Sequence, residues 1–359
     1  MSAIREYQPN RIDAGQIAGV ERSRIYLRVA EAFDSFEQLL LNLELADIAG
    51  KRELVDKLQQ EIAGSFDNLS IQLEMIAGRN SPLSENTRKE IVELARTRYL
   101  PYIMKTGLAK RALEKPLGYA GDYLTIELFY RNEPAGEGIV GNTLDRCFLD
   151  LPACNAVRNR RRLLSRQIER SLELTTPGST TRVTSLACGP AREVFDFFEK
   201  TPEKHSLEFT LLDMDPRALR FAKHEAAKRN LQDSIRTVRG NLLRLSLGKE
   251  TLEIAAQHLV YSIGLIDYFE DEMVVELLNW IHGILKPGGR VILGNFHPDN
   301  PTRAMMEEIL DWKLVHRDQR KMDQLFMASR FQAPCSVIHF EEEGINLFAE
   351  ATRSRRDIA

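Results

Sequence analysis

Cysteine is scarce in this chain, with only four in 359 residues. None of the four belongs to a Cys-x-x-Cys pair or to a Cys/His group at zinc spacing. We therefore expect neither a disulfide framework nor a bound metal. Because unpaired thiols are typical of reducing compartments, the composition predicts a cytoplasmic protein.

Long apolar runs and a strong net charge are also missing. The longest apolar stretches are interrupted by Asp267 and Glu276 and fall short of the about 18 residues that suggest a membrane span. Residues 1–15 contain no apolar core of a secretion signal. The formal net charge is -3 and the pI is near 6.2, so there is no overall basic field for nucleic acid. We predict no membrane span and no nucleic-acid partner.

What the chain has in quantity is apolar material, at 43% of its residues. The length fits two domains. Residues before 110 place apolar side chains at helical spacing, and Ser84 is a candidate N-cap. Residues 115–153 are rich in glycine and proline, which predicts a loop-rich segment with one short helix over 123–130. We predict a helical cap over 1–114, a connector or lid over 115–153, and a second domain over 154–359.

Strand and helix patterns alternate from residue 182 onward. The strand candidates cover 182–187, 208–213, 235–239, 258–263 and 290–296. This alternation predicts a Rossmann-like α/β fold with a doubly wound, mostly parallel sheet. Segments 336–340 and 345–351 flank a Glu-Glu-Glu-Gly turn and predict a C-terminal antiparallel hairpin, which brings the sheet to seven strands. An all-helical N-terminal domain precedes it.

Small and acidic residues follow the first two strands. Ala187 and Gly189 lie in a strand-to-helix turn that lets a ligand approach the backbone at a helix N-terminus. Asp213 ends the second strand, where an acid can accept both hydroxyls of a ribose. Met214 would then lie against an adenine face.

The third and fourth strands also end in polar residues. Asn241 follows the third strand and is expected to accept from an adenine amino group. The backbone N–H of Leu242 would meet a ring nitrogen. Ser262 ends the fourth strand and completes the predicted binding edge. The fifth strand follows a Leu-Lys-Pro-Gly-Gly turn at 285–289.

These motifs, in this order, resemble the class I S-adenosylmethionine-dependent methyltransferases over residues 182–353. The resemblance implies S-adenosylmethionine (SAM) as cosubstrate, bound by the domain over 154–359. The sequence departs from the family pattern at several positions. Ser185 stands where an acid is usual, Ala187 and Ala191 stand where glycines are usual, and Asn241 replaces an aspartate.

A narrower resemblance covers the helical region, the segment KPLGYAGDY and the run 311–317. These parts are similar to bacterial methyltransferases named for 3-hydroxypalmitic acid methyl ester biosynthesis. The resemblance implies that the helical region covers the substrate crevice of a small-molecule enzyme.

Methyl transfer from a sulfonium predicts which side chains do chemistry. Tyr119 and Tyr123 could hold the sulfonium by cation–π contact, and Asp122 could hold an ammonium; the alternative is an ordinary turn. His297 is the candidate base, or else a turn cap. Three further residues are expected on the substrate: Asn295, Tyr268 and Arg317.

An arginine-rich helix precedes the first strand. Its arginines recur every four residues on one face: Arg158, Arg162, Arg166 and Arg170. That face is either solvated or binds a carboxylate or phosphate. We predict that Arg158 or Arg162 lies near the amino-acid end of SAM.

Several functions remain open on the sequence alone. The leading hypothesis is methyl transfer to an oxygen or nitrogen of a small molecule. An alternative uses the aminocarboxypropyl group of SAM, for example by cyclisation, and releases methylthioadenosine. A third hypothesis is a SAM-binding regulatory protein without turnover. A homodimer is compatible with each.

Overall fold

The computed structural model describes residues 14–176, 178–201 and 207–355, with side chains from residue 23 onward. Among these residues, seven helices precede the sheet: α1 (Ala14–Ile48), α2 (Arg52–Ala77), α3 (Glu85–Ile103), α4 (Leu108–Glu114), α5 (Tyr123–Arg131), α6 (Gly138–Leu149) and α7 (Pro152–Glu173). Within these described ranges, no helix is long and apolar enough to cross a membrane.

The first helices form where an apolar stripe recurs with helical period. On α2 the buried side chains are Leu58, Ile62, Phe66, Leu69, Leu73 and Ile76. These positions lie on one face because successive members are three or four residues apart. The Ser84 hydroxyl caps α3 by accepting from the N–H of Thr87, as predicted.

The segment predicted to be loop-rich contains two helices, not one. α5 matches the predicted short helix, but α6 was missed. Its glycines suggested a flexible loop, whereas Gly141 serves close packing: a Cβ there would collide with the carbonyl of Lys105. α6 contributes Val140, Leu144 and Phe148 to the core.

The second half of the chain builds one seven-stranded sheet. Its strands are β1 (Thr181–Leu186), β2 (Leu207–Asp213), β3 (Ile235–Arg239), β4 (Gln257–Ser262), β5 (Leu285–Phe296), β6 (Val337–Phe340) and β7 (Asn346–Thr352). The strand order is β3-β2-β1-β4-β5-β7-β6. β1 to β5 are parallel, and β7 is antiparallel to both β5 and β6. The predicted fold class is confirmed.

Helices cover the sheet and a short turn follows β4. The remaining helices are α8 (Arg192–Lys200), α9 (Pro216–Lys228), α10 (Leu242–Ser246), α11 (Asp271–Ile284) and α12 (Gln319–Ala328). A 3-10 turn spans Ile266–Tyr268 and a π-helical turn spans Met305–Ile309.

One hydrophobic cluster joins the helical region to a late segment of the chain. It runs from Val29 to Val157 and continues into Phe296, Met305 and Trp312. Two other clusters fill the two faces of the sheet. The helices that precede the sheet therefore share a core with the segment that follows β5.

Candidate active site

A cavity of about 360 Å³ lies between the carboxyl ends of the parallel strands and the helical region. Its volume falls within the range of small-molecule sites. We call the two sides of this cavity the strand-end part and the helix part. The strand-end part comprises residues 187–190, 213–214, 240–243 and 263–265. The helix part is apolar and includes Leu108, Ala109, Ala112, Phe148, Leu151, Val157, Met306 and Leu310.

The turn after β1 has an unusual backbone. Ala187, Gly189 and Ala191 have φ of 50°, 52° and 49°, so alternate residues are left-handed. Two of the three are alanines at positions where the resemblance expects glycine, and left-handed φ costs an alanine free energy. Ala187 and Gly189 line the cavity, as predicted for cofactor-binding residues.

Asp213 fixes this turn at the end of β2. Its Oδ2 accepts from the N–H of Gly189 at 3.0 Å, and its Oδ1 accepts from the N–H of Asp215 at 2.9 Å. Burial raises the pKa of the Asp213 carboxyl, while the two amides oppose that shift. Each oxygen keeps a lone pair for a ligand hydroxyl. Met214 lies beside it at the cavity and is exposed.

The residues that follow β3 line the cavity as predicted, whereas the residue that ends β4 does not. Asn241 and Leu242 line the cavity. The Asn241 Oδ1 also caps α10 by accepting from the N–H of Arg244 at 3.2 Å. Ser262 is not part of the lining: its hydroxyl donates to the Leu186 carbonyl at 2.9 Å and is buried within the sheet.

The arginine at the cavity is Arg160, which the sequence analysis did not single out. Arg160 is 5% exposed and lines the cavity, as does Tyr130. The Arg160 Nε has no hydrogen-bond partner among the described residues. A Cβ on Gly264 would approach Arg160 Nη1 to 3.3 Å, so glycine there leaves room for the guanidinium.

Arg158 and Arg162 do not reach the cavity. Arg158 donates to the Leu149 carbonyl at 2.8 Å, and Arg162 pairs with Glu342 on the C-terminal hairpin. The four-residue spacing identified a real helix face, but that face points away from the cavity. Arg160 lies on the buried side of α7 instead.

Aromatic residues line the cavity near the predicted lid. Tyr119 and Tyr123 are both in the lining, and Tyr123 packs on Phe221 with ring centroids 5.6 Å apart. The Tyr268 hydroxyl accepts from the Trp312 indole N–H at 2.9 Å. Both of these side chains also line the cavity, so Tyr268 lies where a substrate contact was predicted.

Asp122 has a structural role instead of the predicted cavity role. It is fully buried, caps α5 through the N–H of Leu124 and Thr125, and forms an ion pair with Arg111 at 2.7 Å. The Gly-Asp pair that looked like a flexible binding segment is a helix start, because an aspartate at that position satisfies free amides.

His297 lies outside the cavity lining and stabilises a turn. Its Nδ1 accepts from the N–H of Asp299 at 3.2 Å, and its Nε2 is 3.1 Å from Gln319 Oε1. The ring packs against Phe340. The alternative of a turn cap therefore describes this residue better than that of a base.

Asn295 and Arg317 bond each other behind the site. The Asn295 Oδ1 accepts from Arg317 Nη1 at 2.9 Å, and Arg317 also donates to the carbonyls of Ile266 and Phe269. An ion pair of 3.0 Å to Asp271 completes its bonds. Both residues are buried and hold the turn after β4, so neither is free to bind a substrate.

Asp267 is the acidic group that the sequence analysis missed. It lies in that turn, lines the cavity and is 2% exposed. Its Oδ1 accepts from the N–H of Phe296 at 2.8 Å. Burial raises the pKa of Asp267 to about 6, against the opposing effects of that amide, Arg160 and Arg317. A buried carboxyl with a pKa near neutrality is suited to proton transfer.

The strand order and the strand-end cavity define the fold of class I SAM-dependent methyltransferases. The family described as "Putative methyltransferase" matches residues 113–347, more than half of the chain, and the chain belongs to that family.

Individual relatives are distant. The "Uncharacterized protein YnbC" of Escherichia coli (strain K12) is 24% identical over 244 residues, which are 65% of this chain and 40% of that protein. A possible exported protein from Bordetella parapertussis has 20% identity and a TM-score of 0.56, over 82% of this chain and 97% of that one. The SAM-dependent methyltransferase SibL has 17% identity and a TM-score of 0.45, over 92% and 98%.

Proposed function

We propose that the protein transfers the methyl group of SAM to an oxygen or nitrogen of a small, largely apolar molecule. The observation that carries this proposal is the single cavity whose strand-end and helix parts are continuous. The strand-end part would hold the cosubstrate, and the helix part would hold the acceptor. The apolar lining of the helix part favours an acceptor with little charge away from its reacting end.

The strand-end residues fit SAM in charge and hydrogen bonding. Asp213 would accept from the ribose hydroxyls, and Asn241 with the N–H of Leu242 would meet the adenine. The guanidinium of the buried Arg160, which lines the cavity, would donate to the carboxylate of the amino-acid end. Bound SAM supplies an electrophilic methyl group on a sulfonium.

The substrate test uses the full-length protein with SAM alone and then with candidate alcohols, amines and acids. Mass spectrometry of all products should show S-adenosylhomocysteine and a methylated acceptor. Methylthioadenosine in place of S-adenosylhomocysteine would replace this proposal with aminocarboxypropyl chemistry. SAM binding without any product in the panel would instead favour a regulatory protein.

We also infer that the protein acts in the cytoplasm. Its four cysteines are free thiols, and three of them are buried. Thiols of this kind persist in reducing compartments. Cell fractionation of the native protein tests the location, and its recovery in an extracellular or periplasmic fraction would contradict it.

A further inference from the structure

Asp267 is a buried carboxylate with hydrogen-bond acceptor capacity that the surrounding protein leaves unfilled. The hydrogen bonds described for its side chain engage Oδ1 alone, with the N–H of Phe296 as donor. The residue lines the cavity and is 2% exposed. A buried carboxylate with unused acceptor capacity is costly unless a donor meets it.

The charged and titratable neighbours of Asp267 do not supply that donor. Arg160 on α7 and Arg317 after the π-helical turn both act on it electrostatically. Arg317 is bonded elsewhere, to Asp271, to Asn295 and to two carbonyls. The adjacent Tyr268 hydroxyl accepts from Trp312, and no hydrogen bond between this hydroxyl and Asp267 is found among the described residues. In the proposed function, Arg160 binds the carboxylate of SAM.

We propose that Asp267 accepts the proton of an acceptor hydroxyl or amine, so that the substrate is an apolar molecule with a hydrogen-bond donor as its head. This inference rests on the proposed function. A carboxylate head would bring a second negative charge next to Asp267 in a buried site, where like charges repel strongly. The donor class of substrate is therefore favoured over the acid class.

The reaction balances with no further reactant. A lone pair of the acceptor oxygen or nitrogen forms a bond to the methyl carbon, and the carbon–sulfur bond breaks with its electron pair going to sulfur. The acceptor's proton passes to Asp267 and then to solvent. The products are the methylated acceptor, S-adenosylhomocysteine and one proton.

The first test measures binding and needs no turnover. Phenylbutanol, phenylbutylamine and phenylbutanoic acid share one apolar group and differ in the head. Each is titrated calorimetrically into protein saturated with S-adenosylhomocysteine, which occupies Arg160. At about pH 7.5 we expect the acid to bind at least about tenfold more weakly than the alcohol. In Asp267→Asn this discrimination should disappear, because Asn keeps an acceptor for the Phe296 N–H and removes the charge.

Asp299→Asn is the matched control. Asp299 is an exposed carboxylate outside the cavity lining, so its loss should leave the discrimination as in the wild type. Equal or tighter binding of the acid to the wild-type protein would overturn the inference. So would the failure of all three compounds to bind the saturated protein.

The second test is the pH profile of turnover for any acceptor that the product screen identifies. Activity should fall on the acid side of about pH 6, where Asp267 becomes protonated. In Asp267→Asn the activity should fall about 100-fold or more and lose this acid limb. An unchanged profile would refute the role of Asp267 while methyl transfer itself stands. Absence of any methylated product would instead refute the proposed function.

Discussion

Asp213 bonds the backbone with both carboxylate oxygens, so one substitution there removes two kinds of interaction. The Ala variant loses the bonds from the Gly189 and Asp215 amides and, in the proposed function, the ribose contacts. We expect its affinity for S-adenosylhomocysteine to fall at least about tenfold, since each charge-assisted bond contributes about 1.5–3 kcal/mol. Calorimetry measures this affinity.

Asp213→Asn and Asp215→Asn separate the two effects. Asn at 213 keeps an acceptor for the turn but weakens the ribose contact, so an intermediate loss is expected. Asp215 caps α9 and is outside the cavity lining, so its substitution should leave affinity unchanged. Full affinity in Asp213→Ala would disprove the ribose role.

Substitution of Arg160 should affect only ligands that carry the carboxylate of the cosubstrate's amino-acid end. Arg160→Gln should weaken binding of S-adenosylhomocysteine about tenfold or more, because a buried charge-assisted bond to the carboxylate is lost. Methylthioadenosine lacks that carboxylate, so its affinity should change little. Arg162→Gln, on the outer face of α7, is the control. If Arg160→Gln weakened the binding of both ligands equally, Arg160 would not bind the carboxylate.

The left-handed alanines predict a stabilising substitution. Ala187 has φ of 50° and lines the cavity, so glycine there relieves strain without leaving a buried hole. We expect Ala187→Gly to raise the free energy of unfolding by about 0.5–1 kcal/mol, because relief of about 1–2 kcal/mol exceeds the entropy cost of glycine. Chemical denaturation measures it.

Ala227→Gly is the control for that prediction. Ala227 is exposed on α9 in right-handed backbone, so the same substitution should destabilise the protein by about 1 kcal/mol. If both variants lose stability equally, the turn carries no strain.

Single residues were the least predictable level from sequence. The positions of Asp213 and Gly189 at the cavity were predictable because strand order and spacing fix where strands end. Arg160 and Asp267 were missed because only packing shows which charged side chain of a helix or turn is buried at the cavity. His297, Asp122 and Arg317 have chemically suitable side chains, but the backbone and neighbouring side chains already use them.

At the level of elements, the strands were predictable, whereas helix α6 was not. The alternation of apolar runs located all seven strands to within a few residues, except the start of β5. α6 was missed because close-packed glycines and flexible glycines look alike in a sequence. The close approach of the Lys105 carbonyl shows that Gly141 is a close-packed glycine.

The segment that leads into α5 gives a prediction at this scale. We propose that Tyr119 and Tyr123 face the sulfonium, where an aromatic ring contributes up to about 2 kcal/mol. Ala at either position should weaken SAM more than S-adenosylhomocysteine, which lacks the charge, whereas Phe should preserve the difference. Competition binding with both ligands tests it. Equal effects on the two ligands would leave these tyrosines as packing residues.

At the scale of the whole molecule, the buried imidazole of His316 should lower the free energy of unfolding in mild acid. Burial lowers the pKa of this imidazole from 6.5 to about 4, and its Nδ1 donates to the Leu314 carbonyl at 3.1 Å. Below pH 6.5 the unfolded chain binds a proton that the folded chain does not, so stability decreases as pH falls. Between about pH 7 and pH 5 this contribution amounts to about 2 kcal/mol.

His316→Gln should remove that part of the pH dependence. Denaturant unfolding at the two pH values, compared with the wild type, isolates the contribution of this side chain. His224→Gln, on the exposed surface of α9, should retain the wild-type slope. Identical slopes for His316→Gln and the wild type would contradict the assignment.

The shared core of the helical region and the segment after β5 has a consequence for engineering. Phe296, Met305 and Trp312 pack in the same cluster as the early helices, although they are far away in sequence. A chimera that exchanges residues 1–114 alone would leave these apolar side chains without partners and should aggregate. To change which molecules the cavity binds, the exchanged unit must therefore be discontinuous: the helices together with residues 296–314.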